Sequence, residues 1–225
     1  MRTASRQCPR LVCILADTSR SMAGAKASSA TEGIQRMMYE CQTRGEHSGE
    51  QFDLLLITFD TQAHIHPLCN GKLVGEIDPE TVRIEGHGES TNITAALELL
   101  LRELKPYMQK FQGLPESDRS RFALPLVFLF SDGEHNCGDP QPNLVADEIK
   151  KLMVGRDPVI IAAAGVAVDG GQPDEKMLRS IAHPGCYAHI TNLDLLVSLI
   201  GEVSRSAATT ADGIAKLIKR IMDGK

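Results

Sequence analysis

The chain has 225 residues, and 29 Asp and Glu side chains outnumber 24 Lys and Arg, which gives a formal net charge of −5. A chain of this length can bury a large hydrophobic core. Its hydrophobic content of 42% excludes a disordered protein. The mild acidity argues against a dedicated nucleic-acid binder, which usually carries a basic stripe, and no apolar run approaches the roughly 18 residues of a membrane-spanning helix.

The N-terminus superficially imitates a secretory signal. Residues 1–10 are polar and basic, but the apolar run at 11–16 is short, ends at Asp17 and is followed by no small-residue cleavage site. We interpret this run as a buried strand. The six cysteines, of which Cys8 is the first, are scattered without a C-x-x-C pair. We therefore expect free thiols, no cysteine zinc site and a cytoplasmic protein.

Apolar runs of strand length recur along the chain. Most lack strict alternation of polar and apolar residues, so both faces are expected to be buried, as in a parallel sheet. The segment 63–68 is expected to be the antiparallel return strand of a hairpin at one edge. The predicted strands are 11–16, 52–59, 63–68, 82–85, 124–130, 158–164 and 186–190.

Helical spacing of apolar residues fills the gaps between these strands. The predicted helices are 24–41, 93–104, 144–153, 174–182 and 195–203. Strands that alternate with helices imply right-handed crossovers. The fold class is therefore α/β: a doubly wound, mostly parallel central sheet with helices on both faces and one antiparallel edge strand.

The last segment stands slightly apart from this pattern, so we divide the chain into a main domain, 1–208, and a C-terminal amphipathic helix, 209–225. The apolar face of that helix consists of Ile214, Leu217, Ile218, Ile221 and Met222. We expect it to pack on the same domain. The alternative is a helix that binds a partner or a membrane surface.

Three polar clusters lie next to predicted elements. Residues 17–21 (DTSRS) follow the first strand, residues 88–92 (GESTN) precede a leucine-rich helix, and residues 131–133 (SDG) follow another strand. Doubly wound sheets bind ligands beyond the carboxyl ends of their strands, where these clusters would converge. Short oxygen side chains suit a hard cation such as Mg²⁺. They also form helix caps and turns, but three clusters in register favour a metal.

The pattern Asp17-x-Ser19-x-Ser21, with Thr91 and Asp132, resembles the metal-ion-dependent adhesion site of von Willebrand factor A (VWA) domains. The surrounding sequences, STNITAAL at 90–97 and LFSDG at 129–133, resemble the family as well. The resemblance covers about residues 9–205. The stand-alone form and the AAAG run at 162–165 resemble bacterial tellurium-resistance-type members.

The resemblance implies a role for each residue of the pattern. Ser19 and Ser21 would coordinate Mg²⁺ (or Mn²⁺) through their hydroxyls, and Thr91 would do so directly or through water. Asp17 and Asp132 would hold metal-bound waters and balance charge. An Asp or Glu of a partner protein would fill the open position. The implied function is a divalent-metal-dependent protein-binding module and not an enzyme, in a stress-response or tellurium-resistance-type system.

Arg20 stands where the family usually has Gly, and it would repel the metal, hold the partner carboxylate or point to solvent. Glu89, beside Thr91, would enter the water shell or shape partner specificity. His135 and Asp139 would shape specificity or be solvated loop residues. The pair His64 and His66 has zinc-ligand spacing, but no third ligand is evident nearby, so an exposed edge is expected.

Two other function classes stay open at this stage. A Mg²⁺-dependent phosphohydrolase would use Asp17 as its nucleophile, but Ser19 replaces the second Asp of its D-x-D motif. The sequence also contains no G-x-S-x-G elbow and no G-x-x-x-x-G-K-[ST] phosphate loop. A metal-free scaffold would bind its partner through the helix at 209–225.

Overall fold

The structure is a computed structural model that describes residues 9–115, 123–139, 141–154, 157–168, 171–204 and 210–224. Cys8 and the predicted domain boundary at residue 208 lie outside the described residues. No helix in the described part of the chain is long and apolar enough to cross a membrane. The cysteines in these residues, 13, 41, 69, 137 and 186, are free thiols.

A six-stranded sheet forms the centre of the fold, in the order β3-β2-β1-β4-β7-β8. β3 is antiparallel to β2 at one edge, and the other pairs are parallel. A separate two-stranded hairpin joins β5 and β6. The strands are β1 (Arg10–Asp17), β2 (Phe52–Phe59), β3 (Ala63–Leu73), β4 (Leu126–Ser131), β5 (Met153–Val154), β6 (Asp157–Pro158), β7 (Ile160–Val166) and β8 (Tyr187–Ile190).

The central strands β1, β4 and β7 are buried along their whole length, because helices cover both faces of the sheet. This explains why their sequences are nearly continuous apolar runs. Helix α5 packs against both α1 and α6, and α3 packs against both α2 and α4. The helices are α1 (Ala25–Ser48), α2 (Ile93–Gln112), α3 (Pro142–Lys150), α4 (Glu175–Ile181), α5 (Leu193–Ser204) and α6 (Ala211–Met222). The predicted fold class is confirmed.

The segment 82–85 was predicted as a strand, and this prediction is wrong. The segment lies extended over α1, with Val82 and Ile84 buried, but it pairs with no strand. Instead, the backbone groups of this segment form hydrogen bonds with side chains of α1. Thr31 Oγ1 accepts from the Ile84 N–H at 2.9 Å, and Gln35 Nε2 donates to the Val82 carbonyl at 3.1 Å. Residues 82–85 alternate between buried and exposed as a strand would, but here the buried side chains pack on a helix and not within a sheet.

The C-terminal end of the helix predicted at 144–153 is wrong. In the structure α3 ends at Lys150, and Met153 pairs with Pro158 in the β5–β6 hairpin. Met153 is 47% exposed, so it does not continue the buried face of the helix. Helical spacing alone does not show where a helix gives way to a tight hairpin.

α6 follows the amphipathic pattern of the C-terminal segment. Its N-cap, Thr210, accepts a hydrogen bond from the Gly213 N–H at 3.2 Å. Ile214, Ile218 and Ile221 are buried, where the helix packs against α5, β7 and β8. The division of the chain at residue 208 stays a prediction.

Candidate metal site

The predicted clusters meet at the carboxyl ends of β1 and β4. These neighbouring strands are parallel, with Ala16 opposite Phe130. The chain leaves β1 through α1 towards β2 on one side, and it returns through α2 to β4 on the other side. This reversal makes a switch point, where connections diverge and leave a crevice. Asp17 ends β1, and Asp132 directly follows β4.

The loop after β1 curls back on its own first carboxylate. The Ser19 N–H donates to Asp17 Oδ1 at 2.8 Å, and a short 3₁₀ turn follows over Arg20–Met22. This turn brings the hydroxyl oxygens of Ser19 and Ser21 to 3.1 Å from each other. The D-x-S-x-S spacing thus places one carboxylate and two hydroxyls on the inside of a single turn.

Asp17 is fully buried, and both of its oxygens accept hydrogen bonds. Ser131 Oγ donates to Oδ2 at 2.5 Å, while Oδ1 accepts from Ser19. Burial raises the pKa of Asp17 to about 6, although these hydrogen bonds oppose the rise. The neighbouring carboxylate of Asp132 raises the pKa further. Two close buried carboxylates therefore form a place where a cation is stabilised.

Asp132 closes the site from β4. Ser21 Oγ donates to its Oδ1 at 2.6 Å, so the first and third clusters are in direct contact. Asp132 is 2% exposed, whereas Ser21 is exposed. The site consequently opens to solvent on the Ser21 side.

The second cluster forms hydrogen bonds with the first cluster and with the loop after β4. The Arg20 N–H donates to the Gly88 carbonyl at 2.6 Å. Gly88 packs directly against the side chain of Asp60, which a Cβ at this position would overlap. The Thr91 N–H donates to Asn136 Oδ1 at 2.9 Å, and the Asn136 N–H donates back to the Thr91 carbonyl at 3.1 Å.

Thr91 itself is 2% exposed. Its hydroxyl oxygen would lie 3.3 Å from a Cβ added to Gly133, which places Thr91 beside the loop that begins with Asp132. The structure therefore brings together all five predicted residues, Asp17, Ser19, Ser21, Thr91 and Asp132.

The residues predicted to tune specificity differ in exposure. Arg20 and Glu89 are exposed. His135 is half-buried and engaged within the chain: its Nδ1 accepts from the Ile93 N–H at 3.2 Å, and its Nε2 donates to the Asp139 carbonyl at 2.5 Å. These two hydrogen bonds of His135 connect the start of α2 to the loop after β4.

The histidine pair lies away from this site. His64 and His66 are both on the edge strand β3, where His64 is exposed and His66 is half-buried. Among the described residues, no group of three or more His, Cys, Asp and Glu side chains is placed to hold a metal. The candidate site differs from such groups because it combines two carboxylates with three hydroxyls, a donor set suited to a hard divalent cation.

The sequence matches the profile of the von Willebrand factor type A domain over residues 12–205. The chain belongs to this family. A search among curated proteins found no match.

Solved VWA structures share the fold at low sequence identity. The von Willebrand factor type A protein from Catenulispora acidiphila is 17% identical with a TM-score of 0.61, over 92% of this chain and 43% of that one. Proximal thread matrix protein 1 from the mussel byssus, with a zinc-occupied MIDAS motif, is 19% identical with a TM-score of 0.57, over 93% and 46%. Manganese-loaded Plasmodium vivax TRAP protein is 17% identical with a TM-score of 0.53, over 85% and 72%. This VWA chain spans less than half the length of the first two.

Three residues of the site were not predicted as part of it. Ser131 lies in the third cluster but has no predicted role, and Asn136 belongs to none of the predicted clusters. Lys26, in the first turn of α1, donates from Nζ to Asp132 Oδ2 at 2.5 Å and to the Ser21 carbonyl at 3.2 Å. A signal was available for Lys26, because it lies four residues before the buried Ala30 in a predicted helix.

Proposed function

We propose that this VWA domain is a divalent-metal-dependent protein-binding module that captures an acidic residue of a partner protein. Mg²⁺ or Mn²⁺ would be held by the hydroxyls of Ser19 and Ser21 and by Thr91, with Asp17 and Asp132 binding metal-bound waters. The carrying observation is the convergence of these five oxygen-bearing side chains from three separate loops. The zinc-occupied and manganese-loaded VWA relatives support a divalent cation.

The position of the site supports capture of an external group. The carboxylates are buried, whereas Ser21 and the adjacent Arg20 are exposed, so a bound cation would be approached from the Ser21 side. A hard cation with few directly bound anionic ligands stays electrophilic, and it favours a carboxylate from outside. Arg20 adjoins Ser21 in the sequence and is exposed, so its guanidinium would be able to hold such a carboxylate.

The phosphohydrolase alternative is disfavoured by the contacts of Asp17. A nucleophilic carboxylate needs an oxygen directed at the substrate, but both oxygens of Asp17 accept hydrogen bonds from Ser19 and Ser131. The residue two positions later is a serine, which cannot serve as the usual general acid. We therefore propose a binding module that is not an enzyme.

The wider setting of the protein is also part of this proposal. We place it in the cytoplasm, which is supported by the free thiols among the described residues. A role in a bacterial stress-response or tellurium-resistance-type system is supported only by the resemblance of the AAAG run at 162–165, which lies in the central strand β7, to members of that type.

Titration calorimetry tests the metal site. Mg²⁺ and Mn²⁺ are titrated into chelator-stripped protein, with the Ser19→Ala/Ser21→Ala variant beside it. We expect saturable one-to-one binding that the variant weakens at least about 100-fold, because two direct ligands are lost. The control is Ser28→Ala/Ser48→Ala, which changes two exposed serines of α1 and should bind metal normally. Equal binding by all three proteins contradicts the proposed site.

Partner capture with and without chelator then separates the function classes. Capture that chelator abolishes supports the metal-dependent module. Capture that ignores chelator but is lost on truncation after Ala208 supports the metal-free scaffold. Turnover of a generic phosphate ester that is lost in Asp17→Asn supports the phosphohydrolase.

A further inference from the structure

Buried charge in the described part of the chain is concentrated at one place. Among the described residues, four charged side chains belong to buried residues: Arg10, Asp17, Lys26 and Asp132. Three of these four lie at the candidate metal site. Since buried charges are screened far less by water and salt than exposed ones, these three control the electrostatics of the site.

Lys26 is held at the site by its neighbours on several sides. Its ammonium group pairs with Asp132, and the two side chains are only 8% and 0% exposed. A second bond goes to the Ser21 carbonyl, inside the turn that carries the two serines. A Cβ added to Gly171 would lie 3.4 Å from Nζ, so Gly171 lies beside the ammonium group.

The charges at the site can be counted in each state. Two buried carboxylates and one ammonium leave the metal-free site with one net negative charge. A divalent cation would change this to one net positive charge, which a single carboxylate from outside would neutralise. Without Lys26, the metal-loaded site would already be neutral overall, and an incoming carboxylate would gain less from charge than it does beside an extra positive charge. Arg20 is exposed, so water screens its contribution.

We propose that Lys26 is a specificity-determining residue: it keeps the metal-loaded site positively charged and thereby selects an anionic group of the partner over a neutral one. This inference rests on the proposed function. The same charge opposes the metal, so Lys26 trades metal affinity for carboxylate affinity. A residue with only a structural role would not change these two affinities in opposite directions.

The test measures both affinities in Lys26→Met, which keeps most of the side-chain length without the charge. Free Mn²⁺ is followed by electron paramagnetic resonance during titration, alone and with acetate or its neutral analogue acetamide at matched ionic strength. We expect Lys26→Met to bind Mn²⁺ at least about tenfold more tightly, because a like charge close to the metal is removed. The preference of the Mn²⁺-loaded protein for acetate over acetamide should fall about fivefold or more.

Two further variants keep the result interpretable. Lys26→Arg retains the positive charge, and it should keep the acetate preference of the wild type. Lys105→Met removes an exposed charge of α2 and should change neither affinity. If metal-free Lys26→Met does not fold, the variant is refolded with Mn²⁺, and its Mn²⁺ affinity is measured by competition with a chelator.

The outcomes separate this inference from the proposed function. Wild-type protein that binds no Mn²⁺ overturns both. Wild-type protein that binds Mn²⁺, beside a folded Lys26→Met whose acetate preference or Mn²⁺ affinity is unchanged, overturns only the role of Lys26. Loss of the acetate preference in a folded Lys26→Arg also overturns it, since the charge is still present.

Discussion

Two buried cations lie near opposite ends of β1, and their partners differ. Arg10 begins the strand, and Lys26 lies in α1, just beyond the loop that follows the strand. Arg10 Nε donates to the backbone carbonyl of Leu124 at 3.1 Å, and burial lowers the pKa of Arg10 to about 10. Lys26 pairs with the carboxylate of Asp132, which also accepts from the exposed Ser21. Arg10 therefore contacts the chain just before β4, whereas Lys26 belongs to a polar cluster that opens to solvent on the Ser21 side.

The two cations thus distinguish a contact that joins chain segments from the charged cluster of the candidate site. At the amino end of β1, the cation satisfies a carbonyl just before β4, and so joins two chain segments. At the carboxyl end, buried charges satisfy one another in a cluster that lacks one positive charge. Such a cluster costs stability in the metal-free protein, and a bound cation would reduce that cost. This is the reason that we place the function at the carboxyl end.

The largest expected effect comes from breaking the pair at the carboxyl end. Asp132→Asn leaves Lys26 buried without its counter-ion, and the free energy of unfolding of metal-free protein should fall by about 3 kcal/mol. Urea unfolding measures this change. In Lys26→Met/Asp132→Asn no charge is left unpaired in this contact, and the double-mutant cycle should show a coupling of about 2 kcal/mol.

The matched control for this prediction is an ion pair on the surface. Asp147 and Lys150 lie 3.3 Å apart, and the Asp147 side chain is 54% exposed. Asp147→Asn should cost less than about 0.5 kcal/mol, as exposed pairs usually do. If Asp132→Asn costs no more than this variant, Lys26 and Asp132 are not coupled as the structure indicates.

A smaller effect is expected at the amino end. Arg10→Met removes the donor to the Leu124 carbonyl, and the free energy of unfolding should fall by about 1–2 kcal/mol. The Mn²⁺ affinity should not change, because the eight residues of β1 separate Arg10 from the candidate metal site by about 23 Å. Calorimetric titration of this variant checks the separation. A changed Mn²⁺ affinity would show that the two ends communicate, and the comparison would then fail.

The smallest effect concerns pH and a second group at the amino end. Burial and the nearby charge of Lys150 lower the pKa of His183 below its usual 6.5, and its Nδ1 accepts from the Ile161 N–H at 3.1 Å. The unfolded chain therefore takes up a proton more readily, so stability should decrease as the pH falls below about 6.5. His183→Gln should reduce this decrease in urea unfolding. Mn²⁺ should leave the difference between variant and wild type unchanged, and equal pH profiles would contradict the assignment.

The fold was predictable because its signals are local and repeated. Continuous apolar runs indicated the buried strands, and the spacing of leucines indicated α2. The errors came where tertiary contacts replace the usual partners. Residues 82–85 bond to side chains of α1, and α3 gives way to a hairpin after Lys150.

The site was predictable only in part. Asp17, Ser19 and Ser21 stand in one short motif, and Thr91 and Asp132 each adjoin an element that apolar spacing had indicated. Neither a motif nor apolar spacing singles out Asn136 in the sequence, because asparagine is common in loops. Its exchange of two hydrogen bonds with Thr91 exists only because two distant loops are adjacent in the fold.

The sequence by itself determined the alternation of strands and helices, the edge hairpin and the oxygen-bearing residues at strand ends, because periodicity and local motifs express these features. Only the tertiary structure decided which charges are buried together. Lys26 lies 106 residues from Asp132 along the chain, and no local pattern links them. The electrostatic character of the site depends on desolvation and on distances across the sheet, and both arise only when β1, α1 and β4 pack together.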